Sequence, residues 1–202
     1  MPQVQTFHGP ALTPYLSALA ELRVEIFKAF PYLYAGDKAY EKRYLQTYSD
    51  APDSFAVLVF DRERVVGAST ALPLRDETDE VKAPFEQSEY DPGELFYFGE
   101  SVLLPEYRGQ GLGVRFFEER EREAVRQDFK LATFCAVERP ADHPQRPKDH
   151  TPLDTFWQNR GFHKRPDLTT TFSWQEIGEA EESPKPMTFW VKELEKRGKR
   201  KG

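Results

Sequence analysis

Arg108, Gly109, Gln110, Gly111, Leu112 and Gly113 follow an apolar run, residues 95–104, and open a helical pattern, residues 114–127. A strand that turns sharply into a helix through three glycines leaves a row of free backbone N–H groups at the helix start. With the positive end of the helix dipole and Arg108, those groups make a receptor for a phosphate or pyrophosphate. Pro105 blocks extension of the strand, so the turn is fixed in place. No Gly-Lys-Ser/Thr follows to hold phosphate and magnesium, which disfavours NTPase chemistry. A dinucleotide fold needs such a turn near the start of a repeated βαβ series, whereas here two helices and three strands come first.

Other residues carry chemistry less specifically. Glu100 stands inside the apolar run between Gly99 and Ser101. An ionised side chain is costly there unless it pairs with a buried arginine, faces solvent past a bulge, or lines a watery cleft. Cys135, the single cysteine, lies on an apolar strand and reads as a small core residue. Asp142-His143 and Asp149-His150 share a prolyl loop that lacks a third clear ligand set, so no metal site is expected. Phe27, Phe30, Tyr32, Tyr34 and Tyr40 cluster in the first helices, where core packing accounts for some of them, while Pro31 to Asp37 is too turn-rich to be merely buried helix.

The elements that must position these groups follow from periodicity. Leu16, Leu19, Leu22, Ile26, Phe27 and Phe30 form a helical stripe over residues 13–30, ended by Pro31. A more polar helix spans 38–47, and residues 55–60 and 65–72 read as a hairpin across Asp61-Arg62-Glu63-Arg64. Residues 73–93 are a long acidic connection with room for one short helix. The strand 95–104, the glycine turn and the helix 114–127 come next; Val114, Phe117, Ala124 and Val125 line one helix face, interrupted by Glu121. A strand at 131–137, a loop at 138–152 and a short helix at 153–160 capped by Gly161 follow. Strands at 169–174 and 187–191, joined by an acidic loop through Ser183-Pro184-Lys185-Pro186, complete the order. A lone helix feeding a parallel strand is a βαβ unit inside a mixed sheet, an α/β (α+β) fold.

Leu103-x-Pro105-Glu106-Tyr107-Arg108-Gly109-Gln110-Gly111-Leu112-Gly113 resembles the Arg/Gln-x-x-Gly-x-Gly/Ala turn of the GCN5-related N-acetyltransferase (GNAT) superfamily, and Phe156-Trp157-Gln158-Asn159-Arg160-Gly161-Phe162 resembles its late helix ending in Gly-Phe. The resemblance implies a mostly antiparallel central sheet flanked by helices. It implies acetyl-CoA as cosubstrate, its pyrophosphate on the amides of Arg108, Gly109, Gln110, Gly111, Leu112, Gly113 and Val114, its pantetheine arm beside Val102, Leu103 and Leu104. One helix-terminal anion contact is worth only about 0.3–2 kcal/mol, so tight binding needs the whole arm. Glu100 is implied as the base that deprotonates a primary amine; direct attack in a ternary complex is expected because no activated Ser or Cys constellation is apparent. The resemblance further implies that the first helices wall the acceptor site, with the tyrosines and Asp37 lining it, and it puts Cys135 next to the thioester, where accepting an acyl group is the alternative to core packing. The family's usual tyrosine acid is replaced by Trp157, leaving Tyr97, Ser101 or solvent to protonate the thiolate. Two alternatives stay open: a non-catalytic acyl-CoA sensing module, and an acyl transferase like the acyl-homoserine-lactone synthases.

Composition bounds the rest. At 202 residues with 39% hydrophobic residues, one domain over 1–195 with a substantial core is expected. The net charge of −6 disfavours nucleic acid as a partner. A lone cysteine suits a reducing cytoplasm, and neither a membrane-spanning stretch nor a signal peptide is read. Residues 196–202, Lys-Arg-rich, are expected to form a disordered tail. Exposed strand ends could support a homodimer.

Overall fold

The computed structural model describes residues 2–195; the expected basic tail, 196–202, lies outside the described residues. Seven strands form one sheet in the order β1-β2-β3-β4-β5-β7-β6. They are β1 (Gln3–His8), β2 (Phe55–Asp61), β3 (Arg64–Pro73), β4 (Leu95–Leu103), β5 (Leu131–Val137), β6 (His163–Trp174) and β7 (Ser183–Glu193). The helices are α1 (Leu16–Phe27), α2 (Lys38–Asp50), α3 (Asp79–Glu86), α4 (Leu112–Arg126) and α5 (Asp154–Gln158). All neighbours are antiparallel except β4 and β5, as the mixed-sheet reading requires.

Nearly every residue of β2 and β3 is buried, because helices cover both faces of the sheet. α1 and α2 lie on one face; α4 crosses the other, burying Phe116, Phe117 and Ala124. The expected α4 stripe through Val114 and Val125 is therefore rotated by about one position. Glu121 leaves the core and pairs with Lys192 at 2.8 Å.

Several boundaries differ from expectation, among them that of β6, which begins at His163 rather than at residue 169. β1 has no counterpart in the expected order: its apolar residues, Val4 and Phe7, are three apart and lack the strand period of two, and it forms because β2 leaves an edge to be paired. The first helix begins at Leu16, after a 3₁₀ segment, Gly9–Tyr15, that contains Pro10 and Pro14. Ser183 to Pro186, expected as loop, is the start of β7 and pairs with β6. Its prolines lie beyond the end of β5, where their missing N–H groups cost no ladder bond.

Two irregularities shape the site. β4 pairs with β5 only at Leu95↔Leu131, Phe96↔Ala132 and Tyr97↔Thr133, after which the two strands part company. On its other side β4 carries a bulge: Ser69 opposes Ser101 and Ala71 opposes Phe98, so Thr70 alone faces Gly99 and Glu100.

Candidate active site

The bulge turns two successive residues to the α1–α2 face. A Cβ at Gly99 would overlap Tyr48 Oη and Thr70 Oγ1, so only glycine fits there. Glu100, next in line, reaches Arg23 of α1 at 2.7 Å. Its side chain is enclosed, and neither oxygen receives a well-aligned hydrogen bond among the described residues. Ser101 then faces α4, where its hydroxyl accepts from Arg120 Nη2 at 2.8 Å. Glu100 and Ser101 are thus on opposite faces.

Arg23 joins Glu100 to the buried Glu41 of α2 and lies over the rings of Phe27 and Tyr44, 4.9 and 4.8 Å from their centroids. Burial alone would depress its guanidinium, but Glu100 and then Glu41 outweigh that and hold it above its ordinary value. Tyr44 Oη lies 3.4 Å from Tyr48 Oη, and Tyr48 donates to Glu77 at 2.8 Å. Burial raises the pKa of Glu77, partly opposed by the hydrogen bonds from Thr78 and Tyr48. Burial, reinforced by Glu77, pushes both phenols well above their usual range.

Tyr97 sits at the last paired position of β4 before the strands diverge, its hydroxyl 3.3 Å from Cys135 Sγ of β5. Burial, then Cys135, raises the Tyr97 pKa, so the phenol keeps its proton at neutral pH. Burial likewise pushes the Cys135 thiol up to about 12, with the Tyr97 hydrogen bond pulling the other way. The folded protein should therefore leave Ellman's reagent unreacted at about pH 8, releasing one equivalent of thiol only after denaturation. Rapid native labelling would contradict this placement.

The α1–α2 connection closes over this face. Arg139 donates to the carbonyls of Pro31 (2.7 Å) and Tyr32 (3.3 Å) and pairs with Glu176. Trp174 Nε1 donates to Tyr32 O at 2.9 Å, Ala35 N to Gln175 O at 2.9 Å, and Ile177 N to Leu33 O at 2.8 Å. The segment is thereby stitched to the β6–β7 turn, with the Tyr32 ring packed at a tilt between Phe27 and Trp174. Asp37, read as an acceptor contact, is the N-cap of α2. It accepts from Ala39 N (2.7 Å) and Tyr40 N (2.9 Å), and those bonds lower its pKa. Tyr40 is exposed. His143 and His150 pack on Phe30 at 5.5 and 4.7 Å between centroids. Trp157 fills core space against Phe134 and Trp190.

At the far end of β4, Gly109 and Gly111 adopt φ of 75° and 79°, and no atom lies within 4 Å of where either Cβ would stand. α4 begins at Leu112, two residues earlier than expected. Arg115 N is its first amide with an intrahelical acceptor, Gly111 O at 3.0 Å, so the amides of Leu112, Gly113 and Val114 point outward. Gln110, Gly111, Leu112, Val114 and Arg115, with Val4 and Glu118, line an open cleft of about 560 Å³. Tyr107 Oη ties the turn to Asp61 at 2.6 Å, and exposed Arg108 donates from Nε to Leu103 O at 3.2 Å. Leu104 N bonds Val66 O of β3 at 3.0 Å. Alternation along the strand then turns the main-chain groups of Val102 and Leu104 toward β3, and those of Ser101 and Leu103 toward the gap left by β5.

Arg23, Glu41, Glu77, Arg120 and Arg139 were missed by sequence reasoning. Arg23 and Arg120 do carry a signal: each interrupts an apolar helical stripe at a core position.

A mixed sheet that divides between two parallel strands, with a glycine turn opening a helix beside the divide, defines a GNAT fold. The model of the acetyltransferase (GNAT) family matches residues 18–147, and the chain belongs to that family. No curated protein sequence matches it. Among solved structures it is similar to a ribosomal-protein-alanine N-acetyltransferase from Brucella melitensis, at 15% identity and a TM-score of 0.57, covering 94% of this chain and 99% of that one. It is similar to an aminoglycoside 6'-acetyltransferase type Ii at 15% identity and a TM-score of 0.58, covering 96% and 99%. It is also similar to Salmonella typhimurium yncA with its cofactor acetyl-CoA, at 10% identity and a TM-score of 0.56, covering 98% and 96%. At these identities the likeness speaks for the fold alone. Among the described residues no helix is long and apolar enough to cross a membrane.

Proposed function

We propose that the protein transfers an acetyl group from acetyl-CoA to a primary amine, directly within a ternary complex. The observation that carries this reading is the bulge of β4, which sets a carboxylate beside the strand divide while the same strand runs on into an anion-binding turn. The outward amides of residues 112–114 and the space at Gly109 and Gly111 suit a pyrophosphate. The gap-facing groups of Ser101 and Leu103 suit a pantetheine arm, which would pair as an added strand. When bound, the thioester supplies the activated acyl group.

The chain's own residues then divide the work. Glu100 accepts the proton of the attacking amine, charge-balanced by Arg23. Edge amides of β4 receive the carbonyl oxygen as negative charge develops on it. Tyr97, protonated and placed at the apex of the divide, gives a proton to the departing thiolate. Ser101 is left out of proton transfer because its hydroxyl, which accepts from Arg120, lies on the face opposite Glu100.

A thiol-release assay of the full chain with acetyl-CoA against a panel of amines tests the reading. At least one amine should release coenzyme thiol, and Glu100→Gln should slow that release by about 10²–10⁴-fold without changing acetyl-CoA affinity. Coenzyme binding without turnover on any amine would favour an acyl-CoA sensing module, a second reading supported by the closure of Glu100 against Arg23. Failure to bind acetyl-CoA would overturn both.

A further inference from the structure

Arg120 is a cation in an unusual position. It is 1% exposed, and no carboxylate pairs with it among the described residues. Its donors go to neutral oxygens: Nε to Phe116 O at 3.2 Å, Nη1 to Thr70 O at 3.3 Å and Glu100 O at 3.2 Å, and Nη2 to Ser101 Oγ at 2.8 Å. The guanidinium lies over the rings of Phe98 and Phe117, 4.4 and 4.9 Å from their centroids. Burial pulls it down to about 9, with Glu100 drawing it back up. A buried charge of this kind is costly, and an apolar side chain of similar volume is often neutral or stabilising in its place.

The acceptors explain where the charge is spent. Thr70 and Glu100 oppose each other across the β3–β4 bulge, so their carbonyls lie where the ladder is broken. One nitrogen of Arg120 takes both. The Glu100 carbonyl and the Ser101 N–H belong to one peptide unit, and Ser101 is among the residues whose amide turns toward the β5 gap. A charge-assisted bond to the oxygen of a peptide draws electron density from its nitrogen, and so makes its N–H a stronger donor.

We infer that Arg120 is a positioning residue for acyl transfer: it locks the bulge that aims Glu100 toward α1, and it polarises the Glu100–Ser101 peptide so that the Ser101 amide grips the thioester carbonyl oxygen. This rests on the acetyl-CoA reading above, and it adds a role for a side chain that touches neither substrate. Arg120 acts from behind the strand. It makes the donor stronger without occupying the cleft.

The probe is acetyl-CoA carrying ¹³C at its thioester carbonyl, whose stretching frequency falls as the oxygen is hydrogen-bonded more strongly. Bound to the full-length wild-type protein, the labelled carbonyl should absorb below its position in buffer. In Arg120→Met and Arg120→Gln, which both remove the charge, it should return most of the way to the buffer value. Coenzyme A affinity by calorimetry should stay within about threefold, because the phosphate turn is separate from this bond. Arg120→Lys, which keeps a cation, should recover part of the downshift. Glutamine keeps a donor for the bulge, so it carries the test if the methionine variant does not fold. A neutral variant that binds with the wild-type carbonyl frequency overturns the inference while leaving the acetyltransferase reading intact. Loss of acetyl-CoA binding by the wild type overturns that reading and this inference with it.

Discussion

Gly111→Val should abolish high-affinity coenzyme A binding while the protein stays folded. Two properties of this glycine separate the effects. Its φ of 79° is a left-handed conformation, which costs an L-residue about 1–2 kcal/mol. In a domain of this size that lowers the melting temperature by about 2–4 °C per kcal/mol, a modest loss. Apart from its chain neighbours no atom stands within 4 Å of the new Cβ, so the backbone strain is not compounded by a clash there. Gly111 lines the open cleft with Leu112 and Val114, however, and that cleft is where the proposed pyrophosphate would come to rest. Losing two charge-assisted hydrogen bonds at about 1.5 kcal/mol each gives about 3 kcal/mol, or roughly 100-fold or more in Kd. Calorimetry with coenzyme A and a thermal melt on the same preparation read the two quantities. Undiminished affinity would mean the glycines serve only the turn.

How much of this was legible in the chain depended on whether the relevant partner was local. The turn was read because strand, proline, glycines and helix are consecutive, and each constrains the next. The βαβ unit and the 55–72 hairpin followed from period and turn chemistry alone. Glu100 was visible as a misfit, and pairing with a buried arginine was one of the three ways out. Which arginine it meets depends on α1 crossing β4, and no spacing encodes that. Gly99 makes room for the Tyr48 hydroxyl from a helix some fifty residues earlier, a demand that no local pattern shows. Asp37 misled because an N-cap and an acceptor contact both favour an aspartate at the mouth of a helix. β1 and the first residues of β7 could not be read because edge pairing supplies what their own pattern lacks. The arginines at 23 and 120 were readable in principle. A cation on an apolar stripe is a stronger signal than the stripe itself, since it demands a buried acceptor.

Arg23→Met should be the most damaging single change on the α1–α2 face, and its damage should depend on pH. Among the described residues Arg23 is the one cation that an ion pair links to both Glu41 and Glu100, which are 2% and 7% exposed. Removing one partner of a buried pair costs about 3–5 kcal/mol, because the charge left behind keeps its desolvation penalty. The stacking on Phe27 and Tyr44 is largely kept by methionine, so the loss is electrostatic rather than a cavity. In the wild type the guanidinium pKa is raised on folding, so its contribution is complete below the unfolded value and is lost only above the folded one. Both lie beyond the alkaline end of ordinary buffers, and the contribution of Arg23 is flat across roughly pH 5–9. In the variant the sign reverses. Buried carboxylates without a cation have folded pKa values above their unfolded ones, so the native state binds more protons and stability falls as pH rises. Urea denaturation should therefore find Arg23→Met closer to wild type near about pH 5 than near about pH 8. Adding Glu100→Gln should restore part of the loss at the higher pH, since it removes one of the two stranded charges. A variant that loses stability equally at both values, or gains nothing from the second substitution, would show that Arg23 serves the fold by packing and that Glu100 does not depend on it for charge balance.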